Sequence, residues 1–279
     1  MNLWYALWDM LPLEIFHWKF MKNALLAILI IAPLLGLVST QIVTGRMSFF
    51  SDALGHSAFT GIAIGAIFGI LNSPIVSVLF SIIFALLFSY LRLHSNQASD
   101  TLIGVFSSIA VALGIFAATF NGGSFTKYNK YLIGDILSVA PSEIGMLAIV
   151  FIAVIVFWVF ASNRLTLAAV YPQLASSRGI PVKLTQTVFT VTIAVIVTLS
   201  ISWVGLLVIN SLLVLPAATS RNLAKNLRQY HFLSVVFALV ASLIGLLLSY
   251  YLGTSAGASI TLVLGIAFMF SFLFRRVRS

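Results

Sequence analysis

The chain contains no cysteine, and only 8% of its 279 residues are charged. The absence of cysteine excludes disulfide bonds and thiolate metal sites, and it leaves the redox compartment open. The scarcity of charge excludes an ordinary soluble domain, because such domains carry about 25% charged residues. With 61% hydrophobic residues and a mean hydropathy of +1.13, the composition indicates a polytopic membrane protein.

Several functional signatures are also missing. The sequence has no G-x-x-x-x-G-K-[ST] loop, nucleophile elbow or H-E-x-x-H motif, so we expect a non-catalytic chain that cannot itself hydrolyse ATP. Residues 1–22 lack a basic start and a small-residue cleavage site, which favours an interfacial segment over a removable signal peptide. Basic loops on one membrane face explain the net charge of +9, so we expect no nucleic-acid partner.

Apolar segments long enough to cross a lipid bilayer recur along the whole sequence. The predicted spans are 24–43, 47–71, 74–92, 101–120, 143–161, 184–202, 204–216, 232–252 and 256–274. The seventh is short and is expected to end at Pro216, whereas 131–140 is too short to cross and is a candidate re-entrant half-helix. The predicted fold class is therefore all-α, a single transmembrane domain over residues 1–279 with about eight to nine spanning helices.

Lysine and arginine are unevenly divided between the predicted loops. If the C-terminus is cytoplasmic, eleven of these residues lie inside and four lie outside. Because short cytoplasmic loops carry an excess of positive charge, this orientation is favoured. The N-terminus is then outside, and the loop at 163–183 faces the cytoplasm.

The segment "SDALGHSAFTGIAIGAIFGI" places Asp52 and His56 four residues apart in an apolar stretch. Residues at i and i+4 share a helix face, so the two side chains can hold one ion. Counted from Arg46 along a continuous helix, His56 lies about 15 Å into the membrane, near its middle. A carboxylate at this depth should face a cavity or a partner. The alternative is that Asp52 caps the helix and His56 makes a hydrogen bond within the bundle.

Glycines on the same helix form a stripe at four-residue spacing, Gly61, Gly65 and Gly69. The stripe lies nearly opposite the polar pair, so it is predicted to pack closely against a neighbouring helix. Carboxylate and imidazole donors suit Zn(II), Mn(II) or Fe(II). Two ligands form only a weak site, which suits a transport pathway because the ion must leave again.

A second feature is the loop "LTLAAVYPQLASSRGIPVKL", which begins at Leu165. Pro172 suits the first turn of a short helix and Gly179 its end, so we expect about two helical turns lying between two spans. Such a helix can transmit force from a cytoplasmic partner. An ordinary solvated connection is the alternative.

Four segments together resemble the permease subunits of bacterial ABC transporters for zinc, manganese or iron(II) uptake. They are "RMSFFSDALGHSAFTGIAIG", "YLIGDILSV", "VGLLVINSLLVLPAATSRNLA" and "LSYYLGTSAGASITLV", in the family's order from about Arg46 to the C-terminus. The resemblance implies an importer in the bacterial cytoplasmic membrane. Its partners would be a second copy of the chain, two cytoplasmic ATPase subunits and an extracytoplasmic metal-binding protein.

The resemblance also implies residue roles. Asp52 and His56 match the metal-holding positions, and Asp135, after Gly134, is a candidate outer ion-path residue, although a cap or turn role is the alternative. The loop matches the ATPase coupling loop. The residues that carry this match are Tyr171, Pro172, Gln173, Ala175 and Gly179. Tyr171 and Gln173 stand where the family commonly has Asp and Glu, which weakens the case for an acidic docking contact.

The expected cargo is a divalent metal ion, with zinc favoured over manganese or iron and no permanently bound cofactor. Two other functions stay open at the level of sequence. One is a permease for a metal chelate such as a siderophore, whose wide pathway needs no metal ligands. The other is a structural membrane component without transport activity.

Overall fold

The computed structural model describes residues 4–5, 17–68, 73–120 and 136–274. Within them the chain forms ten α-helices of described bounds and no strand. The helices are α1 (Lys19–Thr44), α2 (Phe50–Ile67), α3 (Ser73–His94), α4 (Ser99–Thr119), α5 (Pro141–Val170), α6 (Pro172–Ser177), α7 (Val182–Val204), α8 (Leu206–Leu223), α9 (Leu227–Leu252) and α10 (Ala256–Leu273). A 3₁₀ turn, Ile136–Ser138, precedes α5. The all-α class is confirmed.

Eight of these helices are long and apolar enough to cross a membrane. The exceptions in the described part of the chain are the six-residue α6 and the 18-residue α2. Helix α2 corresponds to the predicted span 47–71, but Asp52, His56 and several small residues lower its hydropathy. Of the candidate half-helix at 131–140, residues 131–135 lie outside the described residues.

Two predicted helix ends are wrong. Helix α8 does not stop at Pro216 but continues to Leu223. Proline lacks the N–H that would bond to the carbonyl four residues earlier, yet membrane helices tolerate this loss. Ser220 Oγ adds a bond to the Pro216 carbonyl at 2.7 Å in the turn that follows. Helix α5 runs to Val170 instead of 161, because it continues past the polar Ser162–Arg164 into the apolar segment that ends before Pro172.

The chain divides into two compact units. One consists of Met1–Thr40, Asp135–Phe157 and Trp203–Ser279, and the other of Gln41–Gly134 and Trp158–Ser202. In the first unit α8, α9 and α10 pack against one another. A Cβ atom at Gly245 of α9 would lie 2.5 Å from Ile260 Cα of α10, so only glycine allows this approach.

The second unit, which contains the polar pair, is built around α2. This helix packs against α3 on one side and α4 on the other. A Cβ at Gly61 would lie 2.5 Å from Ser77 Cα of α3, and one at Gly114 of α4 would lie 2.6 Å from the Phe59 ring. Glycine therefore allows close contact on both sides of α2.

Hydroxyl groups hold α2 at these two contacts. Ser77 Oγ of α3 donates to the Ala58 carbonyl at 2.8 Å, and Thr60 Oγ1 of α2 donates to the Ala110 carbonyl of α4 at 2.6 Å. Because hydrogen bonds are directional, they fix the rotation of α2 as well as its position. The face that carries Asp52 and His56 is set by these contacts.

The turn between α1 and α2 has an unusual backbone conformation. Arg46 has φ 55°, in the left-handed region that glycine prefers. The N–H of Met47 bonds to the Ile42 carbonyl at 3.0 Å, and the N–H of Arg46 bonds to the Val43 carbonyl at 3.2 Å. This is the Schellman pattern of a helix end, with arginine at the usual glycine position.

We predict that Gly61→Ala destabilises the protein by roughly 1–3 kcal/mol, because the added methyl group meets α3 backbone and forces the helices apart. The measurement is thermal unfolding in a mild detergent. Gly104→Ala on α4 is the matched control, since a Cβ there meets no atom within 4 Å. Equal unfolding midpoints for the two variants would contradict the close-packing explanation.

We predict that Arg46→Gly stabilises the protein by about 1 kcal/mol, because a left-handed conformation costs an L-residue roughly 1–2 kcal/mol and glycine loses part of that gain in unfolded-state entropy. The exposed arginine makes the substitution simple to interpret. Arg46→Ala keeps a Cβ and removes the same charge, so it should give no gain. If both variants shift the unfolding midpoint equally, charge and not backbone strain is responsible.

Candidate metal site and coupling loop

Asp52 and His56 lie in the first two turns of α2. The N-cap residue of this helix is Phe49, which makes no side-chain capping bond, and Asp52 lies inside the first turn. Asp52 is therefore not the N-cap residue of α2. Its carboxylate is still well situated, because negative charge is favoured near the N-terminus of a helix.

The predicted depth of His56 needs correction. The count from Arg46 assumed a continuous helix, but α1 ends at Thr44 and α2 begins only at Phe50. Measured from Phe50, His56 lies about 9 Å along the helix axis. The pair is thus closer to the α1–α2 turn than the sequence indicated.

The two side chains face each other. His56 Nε2 lies 3.6 Å from Asp52 Oδ2, and the side chains are 26% and 47% exposed, respectively. Two donor atoms that each bind a tetrahedral metal ion at about 2.1 Å lie roughly 3.4 Å from each other. The observed separation therefore matches a metal-sharing pair with little rearrangement.

The pair belongs to a row of residues along α2 that continues to Thr60. Thr60 is fully buried, and its single hydroxyl hydrogen is shared between the carbonyls of His56 and Ala110, which lie 2.9 and 2.6 Å from Oγ1. Exposure along the row increases from Thr60 through His56 to Asp52. The buried end of the row fixes α2, while the other end presents the two donor side chains.

The ligand set within one chain is incomplete. Among the described residues, no group of three or more His, Cys, Asp or Glu side chains is arranged to hold a metal ion. Asp135, the candidate outer ion-path residue, lies outside the described residues. Asp52 and His56 therefore offer two donor groups, and further ligands have to come from elsewhere.

The glycine stripe lies at the contact of α2 with α3. A Cβ at Gly61 would meet backbone atoms of Ser77, and one at Gly65 would lie 3.3 Å from Val76 Cβ. Gly69, the third member, lies outside the described residues. The face of α2 that packs against α3 is therefore different from the face that carries Asp52 and His56.

The loop between α5 and α7 contains the short helix α6. Pro172 begins it, and Gly179, with φ 73°, follows its end. The N–H groups of Gly179 and Ile180 bond to the carbonyls of Ser176 and Ala175, both at 3.0 Å. These two bonds form a Schellman motif, so the end of this six-residue helix is well defined.

One side of α6 is buried through Ala175, which has no exposed surface. Tyr171, Gln173 and Leu174 are exposed. The loop thus offers an aromatic ring, an amide and an apolar side chain to a partner. None of these three carries the negative charge that is common in the family at the two positions flanking Pro172.

A cavity of about 220 Å³, with a mixed polar and apolar lining, lies within the second unit beside the start of α2. Its wall includes Gln41, Thr44, Gly45, Arg46, Met47, Arg92, Ser99, Leu165, Ala169, Gln186 and Phe189. Arg92 is one of the eleven basic residues that the charge rule places on the cytoplasmic side, and the sequence predicted no structural role for it. Its position within the last turn of α3 was the signal for a structural role, since arginine inside an apolar helix needs polar partners.

Comparison with known proteins agrees with the fold and with the sequence motifs. The model of the ABC 3 transport family matches residues 17–275. The chain is 30% identical over 250 residues to the high-affinity zinc uptake system membrane protein ZnuB of Haemophilus influenzae, covering 90% of this chain and 94% of ZnuB. It is 29% identical over 266 residues to the manganese transport system membrane protein MntC of Listeria monocytogenes, covering 95% and 94%.

A solved structure is similar over nearly the whole chain. The structure of PsaBC from Streptococcus pneumoniae in complex with Fab matches with a TM-score of 0.79 and 29% identity, covering 98% of this chain and 95% of the other. The family model spans most of the sequence, so the resemblance inferred from its motifs is confirmed. This chain belongs to the ABC 3 transport family.

Proposed function

We propose that this chain is the membrane permease subunit of an ABC importer that carries a divalent metal ion into the bacterial cytoplasm. The observation that supports this most directly is the Asp52–His56 pair, with donor atoms 3.6 Å apart and both side chains partly exposed. Ionisable residues in a membrane helix commonly mark an ion pathway. Energy would come from ATP hydrolysis on a partner subunit.

The complete metal site is proposed to form between two copies of the chain. Each copy supplies one carboxylate and one imidazole, so two copies supply four donor groups, the usual number for zinc. Shared ligands also explain how the ion is released. If the two copies separate, each retains only two donors, and such a site binds weakly.

We propose zinc as the preferred cargo. The four donor groups that two copies would supply, two imidazoles and two carboxylates, match the four-coordinate nitrogen and oxygen sites that are typical of zinc. Tetrahedral geometry with nitrogen and oxygen ligands suits zinc, whereas manganese prefers more oxygen ligands. The two named relatives do not decide between the metals, because one belongs to a zinc uptake system and the other to a manganese transport system.

The loop containing α6 is the proposed docking site for the cytoplasmic ATPase subunits. Its exposed Tyr171 and Leu174 favour an apolar contact in place of an acidic one. An extracytoplasmic metal-binding protein would deliver the ion at the opposite membrane face. This arrangement follows the family resemblance and requires that α6 lies on the cytoplasmic side.

We predict that Asp52→Ala and His56→Ala each reduce zinc uptake to background in proteoliposomes that contain the permease and its ATPase. Each removes one of the two donors that a copy contributes. Asp100→Ala and His94→Ala are matched controls, because both residues are ionisable and exposed and lie at the ends of α4 and α3 instead of on α2. These control variants should take up zinc at the rate of the unmodified protein. In the unmodified protein, excess zinc should inhibit manganese uptake more strongly than excess manganese inhibits zinc uptake.

Two results would contradict this proposal. Undiminished metal uptake by the Asp52 and His56 variants would favour a chelate pathway that needs no protein ligands. Absence of uptake by the unmodified complex, with every divalent metal supplied, would favour a structural role. Co-purification of the ATPase with each variant shows that loss of uptake does not arise from loss of assembly.

We predict that Leu174→Asp weakens co-purification of the ATPase in mild detergent by at least about fivefold, since removing a well-packed apolar contact at an interface costs more than about 1 kcal/mol. Ser177→Asp adds the same charge to the exposed end of the same helix and serves as the control. If both variants release the ATPase equally, charge and not loss of an apolar contact is responsible. If neither does, the docking site lies elsewhere.

A further inference from the structure

The guanidinium group of Arg92 joins three segments of the chain. Its Nη2 donates to the Gly45 carbonyl at 2.9 Å, its Nη1 contacts Met47 Sδ at 3.0 Å, and its Nε donates to Ser99 Oγ at 3.1 Å. One side chain at the end of α3 thus holds both the α1–α2 turn and the start of α4. All three partners are uncharged groups, so the bonds fix positions without forming an ion pair.

The turn that Arg92 holds leads directly into α2, the helix that carries Asp52 and His56. Asp52 follows Met47 by five residues, and α2 begins between them at Phe50. The Phe50 ring stacks on Phe88 of α3, with centroids 4.5 Å apart. The start of α2 is therefore fixed to the end of α3 twice, by the guanidinium of Arg92 and by the ring of Phe88.

The same part of α3 is also joined to α7, next to the α6 loop. Ser89 Oγ lies 2.7 Å from Thr187 Oγ1, near the start of α7 at Val182. Gln186 Nε2 in turn donates to the Ala168 carbonyl of α5 at 3.4 Å. The two helices that flank α6 are therefore linked to each other and to α3.

The cavity separates these helix ends from the α1–α2 turn. Leu165 and Ala169 of α5 and Gln186 of α7 form part of its wall, and Arg46 and Arg92 form another part. Without solid packing across this space, the ends of α5 and α7 can shift without a direct clash with α2. Thr166 Oγ1 of α5 donates directly to Gln41 Oε1 of α1 at 3.3 Å, but this bond ends at α1. The contacts that continue to the start of α2 run through α3, by way of Ser89, Phe88 and Arg92.

We propose that the last two turns of α3, Phe88 to Arg92, link the α6 loop mechanically to the Asp52–His56 pair, with Arg92 as the positioning residue. The inference rests on the proposed function, because it requires that an ATPase acts on α6 and that a metal binds the pair. Arg92 does not bind the metal. It holds the start of α2 in register with α3, so movement at the loop changes the position of the donors.

The test is the number of zinc ions taken up per ATP hydrolysed by the reconstituted permease–ATPase complex. Arg92→Gln should lower this ratio at least about tenfold, because one amide cannot replace three donors on one rigid fork. Arg92→Lys should recover part of the ratio through a single bond to the Gly45 carbonyl. Arg228→Gln, at an exposed arginine of α9, should leave the ratio unchanged. A variant that is merely less stable would lose uptake and ATP hydrolysis together and keep the ratio.

A second pair of variants tests the link if Arg92→Gln fails to assemble. Ser89→Ala and Thr187→Val each remove one hydroxyl of the α3–α7 contact, and each should lower the ratio, with no further loss when they are combined. A normal ratio in these variants, or in an assembled Arg92→Gln complex, overturns the inference. The proposed function fails on a different result, namely no metal uptake by the unmodified complex.

Discussion

The rotational position of α2 is the constraint on which the rest of the second unit depends. One residue of helix corresponds to a rotation of about 100°, so a small change in register would turn Asp52 and His56 towards α3 or α4. A change of register would bring a residue with a side chain to the position of Gly61. This is excluded because a Cβ atom there would lie only 2.5 Å from Ser77 Cα. The hydroxyl bonds of Ser77 and Thr60 add direction to that contact. Close packing on two sides leaves the polar face open, and this allows costly ionisable groups to be used in an apolar bundle.

Different contacts hold the two ends of α2. Beyond His56, helix–helix contact and buried hydroxyls fix α2, and these contacts do not depend on other loops. At Phe50 the helix is held by Phe88 and, through its preceding turn, by Arg92. Arg46 keeps a left-handed conformation in that turn although glycine would adopt it without strain. The start of α2 is therefore the part whose position depends most on neighbouring segments, and it carries the donor atoms.

Sequence alone predicted the features that depend on local periodicity. Apolar segments gave the helices, the spacing of four brought Asp52 to His56, and Pro172 with Gly179 predicted α6. The failures share a different cause. Helix α8 passes through Pro216 because a membrane helix tolerates proline, and the depth of His56 depends on the geometry of the α1–α2 turn; apolar periodicity indicates neither. The contacts of Arg92 span 45 and 47 residues along the chain to Met47 and Gly45, so no local pattern indicates them.

The local structure of α6 is compatible with the proposed ATPase docking, although neither residue that flanks Pro172 is acidic. A six-residue helix has little stability of its own, because helix nucleation is unfavourable and short helices gain few bonds. Here Pro172 fixes the first turn, Gly179 closes the last, and buried Ala175 anchors one side. A helix preorganised in this way loses little conformational entropy when a partner binds. The rigidity of α6 and the exposed Tyr171 and Leu174 can then supply part of the affinity that an acidic pair would supply. Tyr171 and Gln173 are in this way compatible with the proposed ATPase docking.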